Sequence, residues 1–92
     1  MKYKIILSPL AEEHMEYWAK SGNTSAKNKL SNIFAELETH PTTGIGKPEK
    51  LRGNLSGYWS RRITKTDRIV YNINDTEVRV SIISLKSHYG QK

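Results

Sequence analysis

The 92-residue chain contains no cysteine. That absence removes disulfides, thiolate metal ligands and cysteine nucleophiles together. No apolar run approaches the roughly 18 residues that would span a bilayer. The opening Met1-Lys2-Tyr3-Lys4-Ile5-Ile6-Leu7 is basic but holds only three consecutive aliphatics. A signal-peptide core needs about 7–15 apolar residues. No repeat, low-complexity tract or linker interrupts the chain, so one domain over 1–92 is expected. Its core should be thin, since a chain of this size buries only about 60–65% of its unfolded surface. No pair among the three histidines has metal-ligand spacing, and the acidic residues form no oxygen cage. The expectation is a cytoplasmic protein without metal, cofactor or membrane association.

Acidic residues are scarce where basic ones gather. Fifteen Lys+Arg stand against nine Asp+Glu, a net charge of +6. Residues 1–40 are neutral and residues 72–92 carry +1. Residues 41–71 carry Lys47, Lys50, Arg52, Arg61, Arg62, Lys65 and Arg68 against Glu49 and Asp67, a net of +5. A concentrated positive field attracts polyanions and speeds their capture, and nucleic acid is the commonest such partner. A merely solvated basic face has the same composition. Four of the seven cations are arginines, whose forked donors suit bidentate phosphate contacts.

Residues 2–7 alternate and are aliphatic, which predicts a short strand. Ser8-Pro9 reads as an N-cap with proline at the first helical position. The stripe Leu10, His14, Tyr17, Trp18 marks a first helix that stops near Gly22. A second helix is expected from about Ser25 to Glu38, with the stripe Ala26, Leu30, Ile33, Phe34, Leu37; Pro41 ends it. Pro41 to Glu49 holds two prolines and two glycines and reads as a loop. The period then changes to two. Tyr58–Thr64, Arg68–Ile73 and Val78–Leu85 read as strands, with a possible stub at Leu51-Arg52. Their short connections require antiparallel hairpins. The expected fold is α+β, β-α-α-β-β-β, with two helices on one face of a curled antiparallel sheet. The first strand returns beside the meander.

Candidate chemistry is sparse. His14, on an apolar stripe, reads as a packed, hydrogen-bonded imidazole, and His40 as a cap or a solvated ring. His88 follows the last strand, outside any apolar pattern, and as a tail residue would need no role. Glu49 lies between Lys47-Pro48 and Lys50; as a surface ion pair it is worth little. A lone carboxylate in a phosphate-seeking surface repels RNA, and makes more sense as a proton acceptor. Alternation sends Arg61 and Arg62 to opposite faces, so only one of them can meet a ligand. Tyr71, Tyr58 and Trp59 read as packing residues. Tyr89, beside His88, could stack on a base.

The string Gly46-Lys47-Pro48-Glu49, then Asn54-Leu55-Ser56-Gly57-Tyr58-Trp59-Ser60-Arg61-Arg62-Ile63, then Arg68-Ile69-Val70-Tyr71, resembles the YoeB (Txe) family within the RelE/ParE superfamily of bacterial toxins. The ending His88-Tyr89 matches as well, and Tyr17-Trp18 fits the first helix. The resemblance implies a RelE-like fold and a metal-independent endoribonuclease that cleaves mRNA at the ribosomal A site. It implies Glu49 as general base, Arg68 as transition-state arginine and His88 as general acid. Lys47, Arg52 and Arg62 match phosphate-holding positions and Tyr89 the terminal tyrosine. It further implies a cognate antitoxin partner, a homodimer, and operator DNA contacted only through the antitoxin complex. Three departures stand out: Arg52 occupies a position that is often lysine, Gly90-Gln91-Lys92 follow the tyrosine, and Asp67 adds a negative charge just before Arg68. Competing expectations are a non-catalytic basic module that binds nucleic acid, and a ParE-like toxin acting on a protein.

Overall fold

The computed structural model describes residues 2–86. The chain runs β1 (Lys4–Leu7), α1 (Pro9–Lys20), α2 (Thr24–Leu37), β2 (Glu49–Lys50), a 3-10 turn (Gly53–Leu55), β3 (Tyr58–Arg62), β4 (Arg68–Asn74) and β5 (Arg79–Ser84). The five strands form one sheet in the order β1-β5-β4-β3-β2. The two helices pack against it, as expected, and the sheet does not close on itself. It is mixed rather than wholly antiparallel, because β1 runs parallel to β5. The physical reason is the connection. A parallel neighbour needs a long crossover, and the whole of α1, α2 and the β2–β4 meander intervenes between β1 and β5.

Both helices start on side-chain caps. Ser8 Oγ accepts from the Ala11 N–H and Asn23 Oδ1 from the Ala26 N–H, each answering a donor that a helix start leaves open. Pro9 sits at the start of α1, where its missing N–H costs nothing. The expected α2 stripe is the buried one: Ala26, Leu30, Ile33 and Leu37, with Phe34 partly buried. The α1 stripe is rotated from expectation. Ala11 and Trp18 are buried, while Leu10 and Tyr17 stay 48% and 47% exposed. Ala11, His14, Met15 and Trp18 therefore line the inner face, and Lys86 Nζ lies 4.3 Å over the outward Tyr17 ring.

The core lies between the helices and the inner sheet face, where Ile69, Tyr71, Val80 and Ile82 are fully buried. The period of two fixes what the opposite face carries. In the β3–β4 register, Tyr58 pairs with Asn72, Ser60 with Val70 and Arg62 with Arg68. These alternate with Arg61, Ile69 and Tyr71, which point at the helices. The expected stub at Leu51-Arg52 lies two residues earlier, at Glu49–Lys50, where Glu49 pairs with Ser60. An edge strand is positioned by the partner backbone that it bonds, which local propensity does not report. That shift puts Glu49 on the same face as Ser60, Arg62 and Arg68.

Candidate functional site

Three strands converge on one corner of this second face. Arg68 opens β4 after a turn built by Thr64 and Asp67, in which Thr64 Oγ1 accepts from the Asp67 N–H and donates to Asp67 Oδ2. The turn returns the chain so that Arg68 stands opposite Arg62. The Arg68 side chain is only 13% exposed. Its Nη1 donates to Ser60 Oγ at 3.3 Å and lies 3.5 Å from Glu49 Oε1. Ser60 is fully buried and holds the guanidinium from below. Glu49 is 56% exposed and reaches it from the edge strand.

The Glu49 and Ser60 contacts of Arg68 differ in kind. An ion pair with one half-exposed partner is worth about 0–1 kcal/mol, so an incoming anion displaces Glu49 at little cost. The buried Ser60 contact remains to keep the guanidinium aimed. Across the strand pair, Arg62 Nε is buried without a hydrogen-bond partner among the described residues. An unmet buried donor costs about 1–3 kcal/mol, and a bound phosphate oxygen would answer it. Lys47 is exposed and takes a left-handed backbone, φ 53°, which is uncommon outside glycine. Arg52 is exposed at the N-terminal end of the 3-10 turn.

The structure thus brings Glu49, Arg62 and Arg68 together, with Lys47 two residues from Glu49. His88 and Tyr89 lie outside the described residues. Arg61, left open with Arg62 in the sequence, is the inward member: fully buried, ion-paired to Glu36 at 2.6 Å. Ser60 was missed by the sequence reading. Its signal was available, because it stands two residues before Arg62 and so shares its face. Among the described residues, no group of three or more His, Asp or Glu side chains could hold a metal. No helix among them is long and apolar enough to cross a membrane. A groove of about 240 Å³ lies elsewhere, between α1 and α2, over Trp18, Leu30 and Phe34. It is mostly apolar, with Lys27 and Ser31 in its lining, and it takes in none of the residues of the Glu49–Arg68 corner.

A family model described as YoeB-like toxin of bacterial type II toxin–antitoxin system matches residues 8–89. Toxin YoeB of Mycobacterium bovis is 40% identical over 81 residues, 88% of this chain and 92% of its own. The Staphylococcus aureus YoeB dimer superposes with a TM-score of 0.82 at 36% identity, covering 97% of this chain and 100% of that one. The heterotetrameric YoeB–YefM toxin–antitoxin complex of the same organism gives 0.80 at 36% identity, with the same coverage.

Proposed function

Because the chain belongs to the YoeB-like toxin family of bacterial type II toxin–antitoxin systems, we propose that it is a metal-independent endoribonuclease that cleaves mRNA at the ribosomal A site. The observation that carries this reading is the Glu49–Arg68 pair at 3.5 Å, with Arg62 across the strand register. An acceptor and a guanidinium are there close enough to share one phosphodiester, and Arg62 stands opposite Arg68 on the same face of the sheet.

RNA supplies its own nucleophile. Glu49 takes the proton of a 2′-hydroxyl as that oxygen attacks the adjacent phosphorus. Arg68 and Arg62 hold the non-bridging oxygens, and Lys47 and Arg52 the flanking backbone. Negative charge grows on phosphorus in the transition state, and preorganised donors aimed at it supply the largest share of stabilisation. The 5′-oxygen leaves with a proton from His88, and Tyr89 stacks on a base. The products are a 2′,3′-cyclic phosphate and a 5′-hydroxyl. The Coulombic work falls to the arginines, so the scheme calls for no metal.

YoeB of Staphylococcus aureus has been solved as a dimer and in a heterotetrameric complex with the antitoxin YefM. The same assembly is proposed here: a homodimer, and an antitoxin whose acidic segment covers the basic corner. Operator DNA is then reached only through that complex, and the site of action is the cytoplasm, where ribosomes are.

The test is cleavage of ribosome-bound mRNA by purified protein in excess EDTA, with and without Glu49→Ala. Metal-insensitive scission that is lost in a folded Glu49→Ala protein supports the reading. Full activity of that variant removes the base assignment. Salt-dependent binding without scission by the wild type replaces the enzyme with a basic binding module.

A further inference from the structure

The chain between α2 and β2, residues 38–48, has no regular secondary structure, yet it delivers both Lys47 and Glu49 to the site. One buried side chain gathers it. Arg61 Nη2 donates to the carbonyls of His40 at 3.0 Å and Thr43 at 2.8 Å, and Nη1 to that of Ile45 at 3.3 Å. Nη1 also pairs with Glu36 Oε1 at 2.6 Å. That same carboxylate oxygen accepts the Ile45 N–H at 2.9 Å. Nε donates to the Tyr71 hydroxyl at 3.1 Å, which in turn donates to the Pro41 carbonyl at 2.7 Å. Residues 40, 41, 43 and 45 are therefore all tied to one guanidinium or its immediate partners.

The next residue closes the arrangement. The Arg62 N–H donates to the Gly46 carbonyl at 2.6 Å. Gly46 adopts φ +81°, and a Cβ there would meet the Arg62 carbonyl at 2.9 Å and Arg61 Cβ at 3.1 Å. A Cβ at Gly44 would collide with the Glu36 carboxylate. The loop thus lies directly on the Arg61-Arg62 dipeptide. Alternation makes that dipeptide two-sided: Arg61 grips the loop from within, and Arg62 stands at the site.

We propose that Arg61, paired with Glu36 and Tyr71, is a positioning residue that sets Lys47 and Glu49 against Arg62 and Arg68 by holding residues 40–46. This rests on the ribonuclease reading above. A catalytic group displaced by about 1 Å can cost 10²-fold in rate, and Glu49 opens a strand of only two residues, with this loop as the chain that leads into it. The role is separate from fold stability, because a buried ion pair replaced by apolar side chains of like volume is often tolerated.

The test is the double variant Glu36→Gln/Arg61→Met, which removes both charges and the donors to the three loop carbonyls. Cleavage of ribosome-bound mRNA is measured with thermal unfolding and with amide exchange over residues 43–47. The double variant should stay folded, exchange at least 10-fold faster in the loop, and lose 30- to 100-fold in kcat with KM within threefold. Glu36→Gln alone keeps an oxygen for Arg61 and Ile45, and should recover most of that loss. A folded double variant with wild-type kcat overturns the positioning role and leaves the ribonuclease reading intact. Absence of cleavage by the wild type overturns both. If the double variant does not fold, Tyr71→Phe decides: a 3- to 10-fold lower kcat at constant KM supports the role, and an unchanged kcat overturns it.

Discussion

His14 Nδ1 accepts a hydrogen bond from the Leu85 N–H at 3.0 Å. Trp18 Nε1, one turn further along α1, donates to the carbonyl of the same Leu85 at 2.7 Å. Both backbone groups of the first residue after β5 are thus taken by side chains of α1. Leu85 itself is fully buried. The imidazole expected from sequence to be packed and hydrogen-bonded is so placed, and it fixes where the sheet ends against the helix.

This contact gives the fold a pH dependence. Burial and the nearby Lys86 charge lower the His14 pKa, with Glu13 and Asp67 opposing them more weakly. Its folded value lies below its unfolded one, so the unfolded chain binds the proton more readily. The contribution of His14 is whole above the ordinary imidazole range, near 6.5, and is lost as pH falls from there through the folded value. Melting temperature should decline from pH 7.5 to 5.5. His14→Asn offers an acceptor without titrating and should flatten that decline. Equal slopes in the two proteins would assign the dependence to other groups.

Ser60→Ala should reduce activity more than stability. The hydroxyl is buried beneath Arg68, 3.3 Å from its Nη1. Without it the guanidinium loses its buried acceptor from below, and its aim toward a bound phosphate is weakened. We expect kcat to fall about 3- to 10-fold, the low end for a hydrogen bond from a charged donor, since the contact is long at 3.3 Å. Arg68→Ala should cost about 10²- to 10³-fold, the scale of one removed transition-state donor. Steady-state cleavage with an unfolding curve for each variant checks both.

Binding of an uncleavable 2′-deoxy oligonucleotide should weaken steeply with salt. If Lys47, Arg52, Arg62 and Arg68 all contact phosphates, log K should fall with log salt at a slope of about −3, from roughly −0.7 per contact on a single strand. Arg62→Ala should reduce that slope by about one contact. A slope near zero would separate the basic third of the chain from nucleic acid.

Gly46→Ala should destabilise the protein by about 1–3 kcal/mol, the scale of a residue held in a sparsely allowed backbone region. The left-handed backbone and the approach to the Arg62 carbonyl both disfavour a side chain there. Gly22→Ala is the control, because a Cβ at Gly22 meets nothing within 4 Å. Urea unfolding of the two variants at one pH makes the comparison.

Much of the architecture was legible from local pattern. Ser8 could be read as a helix start because capping chemistry acts within three residues, whereas the second helix, expected from about Ser25, starts at Thr24 on an Asn23 cap. Ala26, Leu30, Ile33 and Leu37 showed their face through a 3.6-residue period, and Tyr58–Arg62 through a period of two. The α1 face was misjudged by about one position. Leu10 and Tyr17 have the bulk of core residues, but small Ala11 is the one that allows close approach to the sheet.

The amino-acid sequence by itself determined the strand and helix order, the basic middle third, and the rule that Arg61 and Arg62 must part company. It also carried the family resemblance, through Gly46–Glu49, Asn54–Ile63 and Arg68–Tyr71. Tertiary structure alone decided which arginine turned inward, that Glu49 pairs opposite Ser60, and that β1 lies parallel to β5. The reason is one of range. Capping and periodicity act between residues close in the chain, so they are written locally. The partners of Arg61 lie 10 to 25 residues away, and Ser60 and Glu49 lie 8 and 19 residues from Arg68. Such contacts exist only once strand register has been chosen by burial of the whole inner face at once.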